Sequence, residues 1–152
     1  MVREESAKIE LKLEKDMIFK SLLDLKKIHE LFVDESLESE EEQIGPDAAQ
    51  LIGLGVMSCL SASLIFCLEK RNLKLDDLTA ETEVHFKTIK KNLTRIEKID
   101  VKLSPKSDDP DVIKRLNQCT RVLKNDEMFF ETSCIITPSI REGIEIHVDV
   151  DF

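Results

Sequence analysis

One long uncharged run constrains this chain more than any other feature. Residues 48–68 carry no formal charge and read AAQLIGLGVMSCLSASLIFCL. Pro46 and Asp47 precede the run and suit the first turn of a helix, where proline needs no N–H and a carboxylate faces the positive end of the helix dipole. A helix that is apolar on nearly every face must be surrounded by protein or by lipid. We therefore predict a long, buried central helix over 45–71.

The same run is long enough to span a bilayer, which requires about 20 apolar residues. Six small or polar residues dilute it, and these suit packing against other protein elements better than contact with acyl chains: Gln50, Gly53, Gly55, Ser58, Ser61 and Ser63. The N-terminal stretch MVREESAKIELKLEKD is charged and has no apolar core region, so we expect no secretion signal. We expect a cytoplasmic protein without a membrane partner.

The length of the chain limits the number of its domains, and its net charge limits the kinds of partner that it can bind. A chain of 152 residues fits one domain, and its net charge is −9. Part of the negative charge is concentrated in residues 34–42, which read DESLESEEE and predict a solvated loop. Binding to a nucleic-acid backbone relies on clustered Lys and Arg, so we expect no nucleic-acid partner.

The cysteines and histidines do not follow a metal-binding pattern. No two of the four cysteines, at positions 59, 67, 119 and 134, have the C-x-x-C spacing of zinc or thioredoxin motifs. The three histidines belong to separate predicted elements, so we expect no metal site and no cofactor. In a cytosol all four thiols should begin reduced. Cys67 and Cys119 lie among apolar residues, and we expect them to pack in the core.

Apolar and polar residues alternate in several short segments, which predicts strands. Three of them form a β-meander before the central helix, over 9–13, 17–25 and 28–33. After that helix, strands are predicted over 78–86 and 99–103, a helix begins near Pro110, and a short helical turn covers 127–133. The clearest alternation is the last, over 144–152, and predicts a final strand.

The predicted order is β-β-β-α-β-β-α-β, which indicates an α+β fold with mostly antiparallel pairing. We predict a single domain over 1–152, with an N-terminal meander (1–33), the central helix (45–71) and a C-terminal β-β-α-β part (77–152). The central helix is too apolar to be covered by one sheet face. A homodimer would bury its remaining faces, as obligate interfaces do.

Two segments carry a resemblance to a known family. Residues 45–86 (GPDAAQLIGLGVMSCLSASLIFCLEKRNLKLDDLTAETEVHF) and residues 134–152 (CIITPSIREGIEIHVDVDF) resemble the core and the C-terminus of the OsmC/Ohr family. Family members have a long helix with a mid-helix cysteine, and later a second cysteine followed by a Ser/Thr-containing turn, a glycine and the last strand. The two motifs occur here in the same order.

The resemblance implies an OsmC-like fold in an intertwined homodimer and a thiol-dependent peroxidase that reduces organic hydroperoxides. It implies that Cys59 is the peroxidatic cysteine, that Cys134 is the resolving cysteine, and that a dithiol, either a small molecule or a lipoyl protein, is the reductant. A role in the oxidative stress response follows. A peroxidatic thiolate attacks the O–O bond, and a second thiol then closes a disulfide. An apolar wall would favour alkyl hydroperoxides, and its expected members are Ile52, Val56, Leu60 and Phe66.

One departure from the family pattern concerns the activation of Cys59. In much of the family, a glutamate nine or ten residues earlier orients an arginine that activates the thiolate; here these positions are Gln50 and Ala49. We assign Gln50 to the binding site on this basis. Arg3 is the only arginine before Arg71, so other residues are expected to supply positive charge, namely Lys26, Lys27 or His29.

A second function class follows from the same departure. A cysteine buried without a nearby cation has a raised pKa and reacts slowly. The alternative to a peroxidase is therefore a non-catalytic OsmC-like dimer, which binds a small apolar ligand or acts as a stress-related scaffold.

Overall fold

The computed structural model describes residues 9–23, 25–36 and 41–152. These residues fall into two compact units, Met1–Ile52 and Gly53–Phe152. The expected single domain over 1–152 stays a prediction. Arg3 lies outside the described residues.

The first unit contains the predicted β-meander. Strands β1 (Glu10–Lys15), β2 (Ile18–Leu22) and β3 (Glu30–Asp34) form a three-stranded antiparallel sheet in the order β1-β2-β3. The turn between β1 and β2 contains Asp16 with a φ of 51°, a left-handed conformation that Asp tolerates better than most residues. The sequence prediction of three sequential hairpin-connected strands is confirmed, with strand ends shifted by a few residues.

The side chain of Asp34, the last residue of β3, accepts hydrogen bonds from two residues that follow the strand. Its Oδ1 accepts hydrogen bonds from the N–H and the hydroxyl of Ser36, at 3.0 and 2.5 Å. Its Oδ2 accepts a bond from the N–H of Ile44, ten residues later, at 3.1 Å. These bonds lower the pKa of the Asp34 carboxyl, since each of them favours the charged form.

Helix α1 (Ala48–Glu69) is the predicted central helix. Its buried residues recur every three or four positions and form one stripe: Gly53, Val56, Leu60, Ser63, Leu64, Cys67 and Leu68. Leu54 and Ile65, on other faces, are 51% and 40% exposed. The single chain therefore covers only one stripe of the helix, and the expectation that a homodimer buries its remaining faces stays a prediction.

By length and composition alone, α1 could cross a membrane, a test that the core helix of a soluble protein also passes. The position of its buried stripe identifies what packs there. A Cβ added at Gly53 would lie 3.0 Å from Val84 Cγ2 and 3.3 Å from Thr82 Cγ2, so the helix approaches the following strand closely at this point. The apolar stripe of α1 is thus a protein contact within the second unit.

The second unit contains a long hairpin. Strands β4 (Asp77–Ile89) and β5 (Leu93–Lys106) pair antiparallel over nearly their whole length, and a 3₁₀ turn (Lys90–Asn92) joins them. Both strands are longer than the predicted 78–86 and 99–103. The reason is that polar residues continue each strand beyond its apolar part, where backbone hydrogen bonds between the two strands need no buried side chains.

Three short helical segments follow β5. Helix α2 (Pro110–Cys119) begins as predicted, with the Asp109 carboxylate accepting a bond from the N–H of Asp111 at 2.8 Å. A 3₁₀ turn (Phe129–Ser133) corresponds to the helical turn predicted over 127–133. Helix α3 (Ile136–Glu142) was not predicted, because Pro138 and two β-branched isoleucines give the segment low helix propensity.

The predicted final strand over 144–152 is wrong for the single chain. Residues 144–152 form no helix or strand. Their apolar side chains are open to solvent: Ile146 is 79%, Val148 82% and Val150 73% exposed. Alternation makes a segment suited to a sheet, but a strand forms only when a neighbouring strand accepts its backbone hydrogen bonds.

Candidate active site

Two free cysteines meet in the core of the second unit. Cys59 lies near the middle of α1, and Cys134 follows the 3₁₀ turn that precedes α3. Their Sγ atoms are 2.9 Å apart although 75 residues separate them in the chain, so the thiol of one donates a hydrogen bond to the sulfur of the other. Cys134 is 5% exposed, and Cys59 is partly exposed. The two cysteines named from the sequence therefore face each other.

Thr137 holds the sulfur of Cys134 from the other side. Its Oγ1 lies 3.0 Å from Cys134 Sγ, and its backbone N–H donates to the same sulfur at an N···S distance of 3.3 Å. One residue thus makes two hydrogen bonds with one sulfur, and in the second of them its backbone N–H is the donor.

These surroundings give the two thiols different acidities. Burial raises the pKa of the Cys59 thiol, and the hydrogen bond with Cys134 raises it further, against smaller opposite effects of the backbone N–H groups of Ile136 and Ile135. Burial also acts to raise the pKa of Cys134. Hydrogen bonds from Cys59, from Thr137 and from the backbone of Ile136 outweigh it, and the pKa of the Cys134 thiol is lowered.

A cleft of about 550 Å³ lies beside the cysteine pair. Helix α1 contributes Val56, Leu60 and Leu64 to its wall, while Thr137 and Arg141 line it from α3. Val56 and Leu60 are two of the four residues predicted to form an apolar wall. Phe66 does not line the cleft; the Nζ of Lys70 lies 4.7 Å from the centroid of its ring. Ile52 belongs to the first unit, so its predicted place in that wall stays a prediction.

A buried carboxylate stands at the same cleft. Glu131 is 8% exposed, and its Oε1 lies 2.9 Å from a guanidinium nitrogen of Arg141. Its Oε2 accepts a hydrogen bond from the N–H of Met128 at 2.6 Å. A second guanidinium nitrogen of Arg141 lies 3.3 Å from Glu127. Arg141 thereby neutralises a carboxylate that would otherwise be costly to bury.

The family is decided by a comparison of the whole sequence. A family model described as "OsmC-like protein" matches residues 39–149, well over half of the chain. The chain belongs to the OsmC-like family. This confirms the resemblance seen in the two segments of the sequence. No curated protein matches the chain.

Solved structures agree with this OsmC-like assignment. An OsmC-like protein from Mycoplasma pneumoniae superposes with a TM-score of 0.68 at 12% identity, covering 91% of this chain and 89% of that chain. The organic hydroperoxide resistance protein OhrB of Bacillus subtilis gives 0.58 at 14% identity, with coverages of 89% and 91%. A hypothetical protein from Aquifex aeolicus superposes with a TM-score of 0.59 at 17% identity, covering 91% of this chain and 89% of that chain. At these identities the similarity establishes the α+β fold of the OsmC-like chain.

Gln50, the predicted binding residue, caps α1. Its N–H donates to Asp47 Oδ1 at 2.7 Å, and its side-chain oxygen accepts the N–H of Asp47 at 2.9 Å. This reciprocal pair is a capping box, which satisfies donors that the first helical turn leaves free. The side-chain amide nitrogen of Gln43 donates a second bond to the same Gln50 oxygen, at 3.0 Å. The binding role of Gln50 stays a prediction, as does the role of Lys26, Lys27 or His29 as a source of positive charge.

Cys67 and Cys119 are joined by a disulfide, and the expectation that all four thiols are reduced is wrong for this pair. The expectation that both are core residues is confirmed, at 3% and 0% exposure. The ends of α1 and α2 pack together with the two Cα atoms 6.2 Å apart, which is within disulfide reach.

Sequence reasoning missed two parts of this site, Thr137 and the Glu131–Arg141 pair. The signal for Thr137 was available, because a donor three residues after a cysteine can bond back to it as in a helix cap. The Glu131–Arg141 pair had no comparable signal in the sequence. Its members lie in two different helical segments, and only the packing of these segments brings the two side chains together. Over residues 9–23, 25–36 and 41–152, no group of three or more His, Cys, Asp or Glu side chains could hold a metal ion.

Proposed function

We propose that this OsmC-like protein is a thiol-dependent peroxidase that reduces organic hydroperoxides through Cys59 and Cys134. The observation that carries the proposal is the 2.9 Å separation of two free sulfur atoms. It is close enough for a disulfide to form with little movement of the backbone. Membership of the OsmC-like family and similarity of fold to an organic hydroperoxide resistance protein support it.

The proposed cycle has three steps. One thiolate attacks the hydroperoxide, an S–O bond forms, the O–O bond breaks, and the alcohol leaves after taking up a proton. The second thiol attacks the resulting sulfenic acid, an S–S bond forms, and water leaves. An external dithiol reduces the disulfide and is itself oxidised. The resemblance to the family implies that Cys59 makes the first attack, and this assignment stays a prediction.

An organic substrate is favoured over H₂O₂ because the surroundings of the pair are mostly apolar. The cleft beside it is lined mainly by aliphatic and aromatic side chains, among them Leu60, Leu64 and Phe130. An alkyl group gains free energy when it leaves water for such a wall, whereas H₂O₂ has no apolar surface to bury.

A homodimer is part of the proposal. The apolar side chains of residues 144–152 are exposed on alternate positions, and α1 leaves Leu54 and Ile65 uncovered. A second copy of the chain would cover both surfaces, with residues 144–152 added as a strand to a sheet of the partner. A cytoplasmic location and a role in the oxidative stress response would suit a protein that a dithiol must recycle; both are proposals.

The test is a peptide map by mass spectrometry after one equivalent of cumene hydroperoxide, with H₂O₂ in parallel. We expect a Cys59–Cys134 disulfide that forms faster with the organic peroxide and is absent in the Cys59→Ser and Cys134→Ser variants. The Cys67–Cys119 disulfide should be present throughout and serves as an internal reference. If Cys59 and Cys134 stay reduced in the folded wild-type protein with both peroxides, the peroxidase proposal fails.

The cleft itself favours a second candidate, a non-catalytic OsmC-like dimer that binds a small apolar ligand. The cleft holds about 550 Å³, and neither free cysteine is among its lining residues. Titration with a fluorescent fatty acid distinguishes the candidates: binding that survives in the Cys59→Ser/Cys134→Ser double variant, together with no peroxide consumption by the wild type, would favour the ligand-binding protein.

A further inference from the structure

Two cysteine pairs connect the same two parts of the second unit. Helix α1 contains Cys59 and Cys67, while Cys119 and Cys134 lie at the two ends of the segment over residues 119–134. The sulfur atoms of Cys59 and Cys134 are 2.9 Å apart, and Cys67 is bonded to Cys119. The first cysteine of α1 thus faces the last cysteine of the 119–134 segment, so the two pairs link α1 to this segment at two successive points.

The two pairs are separated along α1. Cys59 and Cys67 are eight residues apart, which is about 12 Å along the helix axis. Thiol–disulfide exchange requires direct attack of one sulfur on another, so Cys59 does not exchange with Cys67 while α1 is intact. We therefore give the Cys67–Cys119 bond no electron transfer in the proposed cycle and look for an effect on position.

The 119–134 segment joins its two cysteines by a short, hydrogen-bonded path. Residues 121–129 form a tight turn, which the N–H of Phe129 closes by donating to the carbonyl oxygen of Arg121 at 2.9 Å. One residue separates Cys119 from the start of this turn, and the 3₁₀ turn that begins at Phe129 leads directly to Cys134. The position of Cys119 therefore constrains the position of Cys134.

Packing restricts both ends of the same path. Cys119 is 0% exposed, Cys134 is 5% exposed, and Phe130 between them is 6% exposed. All three belong to one buried cluster, which also contains Cys67. Side chains in a close-packed cluster interdigitate with few voids, so a displacement of one member displaces its neighbours.

From this arrangement we propose that the Cys67–Cys119 disulfide positions the reacting pair: it holds Cys134 opposite Cys59 and speeds the closure of the Cys59–Cys134 disulfide. Cys67 and Cys119 are positioning residues, since they act through Cys134. The inference rests on the proposed peroxidase function and extends it to the two cysteines that the resemblance to the family leaves without a role.

The length of the closed loop sets the size of the effect. Along the chain, 75 residues separate Cys59 from Cys134. Through the Cys67–Cys119 bond, the path consists only of eight residues of α1 and fifteen residues of the 119–134 segment. The probability that the two ends of a flexible loop meet falls with the three-halves power of its length, so the shorter path raises this probability about sixfold. In the folded protein, the packing of the segment adds to this effect.

The first experiment measures how readily Cys59 and Cys134 pair without any peroxide. The wild type and the Cys67→Ala/Cys119→Ala variant are equilibrated with mixtures of reduced and oxidised glutathione and then alkylated. Mass spectrometry with fragmentation of the whole chain reports both cysteine pairs in the same molecule. We expect the effective concentration of the Cys59 and Cys134 thiols to be at least about sixfold lower in the variant.

The same spectra contain an internal comparison. Wild-type molecules in which the Cys67–Cys119 bond is itself reduced should form the Cys59–Cys134 disulfide as weakly as the variant does. This comparison needs no substitution, so it tests the inference even where the double alanine variant does not fold.

The second experiment separates positioning from stability. After one equivalent of cumene hydroperoxide, dimedone traps the sulfenic acid before the disulfide closes. In the Cys67→Ala/Cys119→Ala variant, the sulfenic acid should form at the wild-type rate and persist about sixfold longer, because only closure depends on the position of Cys134. Val33→Ala is the matched control: it shortens a buried side chain of β3 in the first unit and keeps both cysteine pairs. It should lower stability and leave the lifetime of the sulfenic acid unchanged.

The outcomes distinguish the inference from the proposed function. Equal effective concentrations with and without the Cys67–Cys119 bond, or equal sulfenic acid lifetimes, overturn the inference. An equally long lifetime in Val33→Ala also overturns it, because lowered stability would then explain the slower closure. If the glutathione experiment gives the expected difference and neither cumene hydroperoxide nor H₂O₂ produces the Cys59–Cys134 disulfide in the wild type, the proposed function fails and the positioning of Cys134 stands.

Discussion

Cys67, near the end of α1, is covalently bonded to Cys119, the last residue of α2, across 52 residues of chain. The two residues belong to the same buried cluster as Cys134. Arg115 of α2 adds a bond to this junction, with its Nε donating to the carbonyl oxygen of Cys67 at 3.1 Å. The link therefore ties α2 to the helix that carries the proposed redox cysteine.

Loss of this disulfide should lower the free energy of unfolding. Closing a loop of this length restricts the unfolded chain, and the entropic model gives about 4 kcal/mol for it. We expect the Cys67→Ala/Cys119→Ala variant to unfold at lower urea concentration than the wild type. The control is the Cys59→Ser/Cys134→Ser variant with and without dithiothreitol, which isolates the effect of the Cys67–Cys119 bond. Equal urea midpoints with and without reductant would show that the bond contributes no stability.

Asp34 should make the stability of the protein depend on pH in the acidic range. Its folded-state pKa is held below the ordinary value of 3.8 by bonds from Ser36 and Ile44. A depressed carboxyl pKa stabilises the fold above the unfolded pKa, and this contribution is lost as the pH falls through the folded pKa. The Asp34→Asn variant should therefore unfold more easily than the wild type near pH 6. Its stability should also fall less than that of the wild type between pH 5 and pH 2. The measurement is thermal unfolding against pH.

The control for Asp34 is Asp108→Asn, since Asp108 is an exposed aspartate whose hydrogen bond to Asp76 is made by its backbone N–H. Asp108→Asn should leave the thermal unfolding midpoint near pH 6 unchanged, and it should also leave the change of that midpoint with pH unchanged. Parallel pH profiles for Asp34→Asn and the wild type would contradict the role given to Asp34.

The exposed C-terminal alternation should control association of two chains. Val148→Lys places a charge on the apolar face that the proposed partner would cover, and we expect it to shift the protein from dimer to monomer. His147→Lys, one position away on the polar face, should leave the dimer intact. Light scattering after gel filtration gives the mass. A wild-type monomer, or dissociation of both variants alike, would contradict this arrangement.

Gln50 should contribute to stability through its capping box with Asp47. Gln50→Ala removes one half of this pair, and we expect it to cost about 1 kcal/mol of unfolding free energy. Gln50→Glu keeps an acceptor at the same place and should unfold like the wild type. If Gln50 also binds substrate, Gln50→Glu should change KM for cumene hydroperoxide at unchanged stability. If Gln50→Ala has the same unfolding free energy as the wild type, Gln50 does not stabilise the protein by capping α1.

Local patterns predicted most of the regular structure. Period-two alternation located β1 to β5, and the uncharged run with its Pro46–Asp47 start located α1, because these patterns express how each segment meets an apolar surface. The family followed from two motifs at the correct separation. The two candidate cysteines, Cys59 and Cys134, were named from the same motifs, and the fold brings their sulfur atoms within 2.9 Å.

What the sequence determined by itself was the type of every element before α3 and the candidate cysteines, since both depend on residues close together in the chain. The tertiary structure decided that Cys67 is bonded to Cys119, that Thr137 contacts the sulfur of Cys134, and that Glu131 meets Arg141. These contacts depend on how elements pack after folding, over separations of up to 75 residues. It also decided that residues 144–152 form no strand in the single chain: alternation makes a segment suited to a sheet, but only a neighbouring strand supplies its hydrogen bonds.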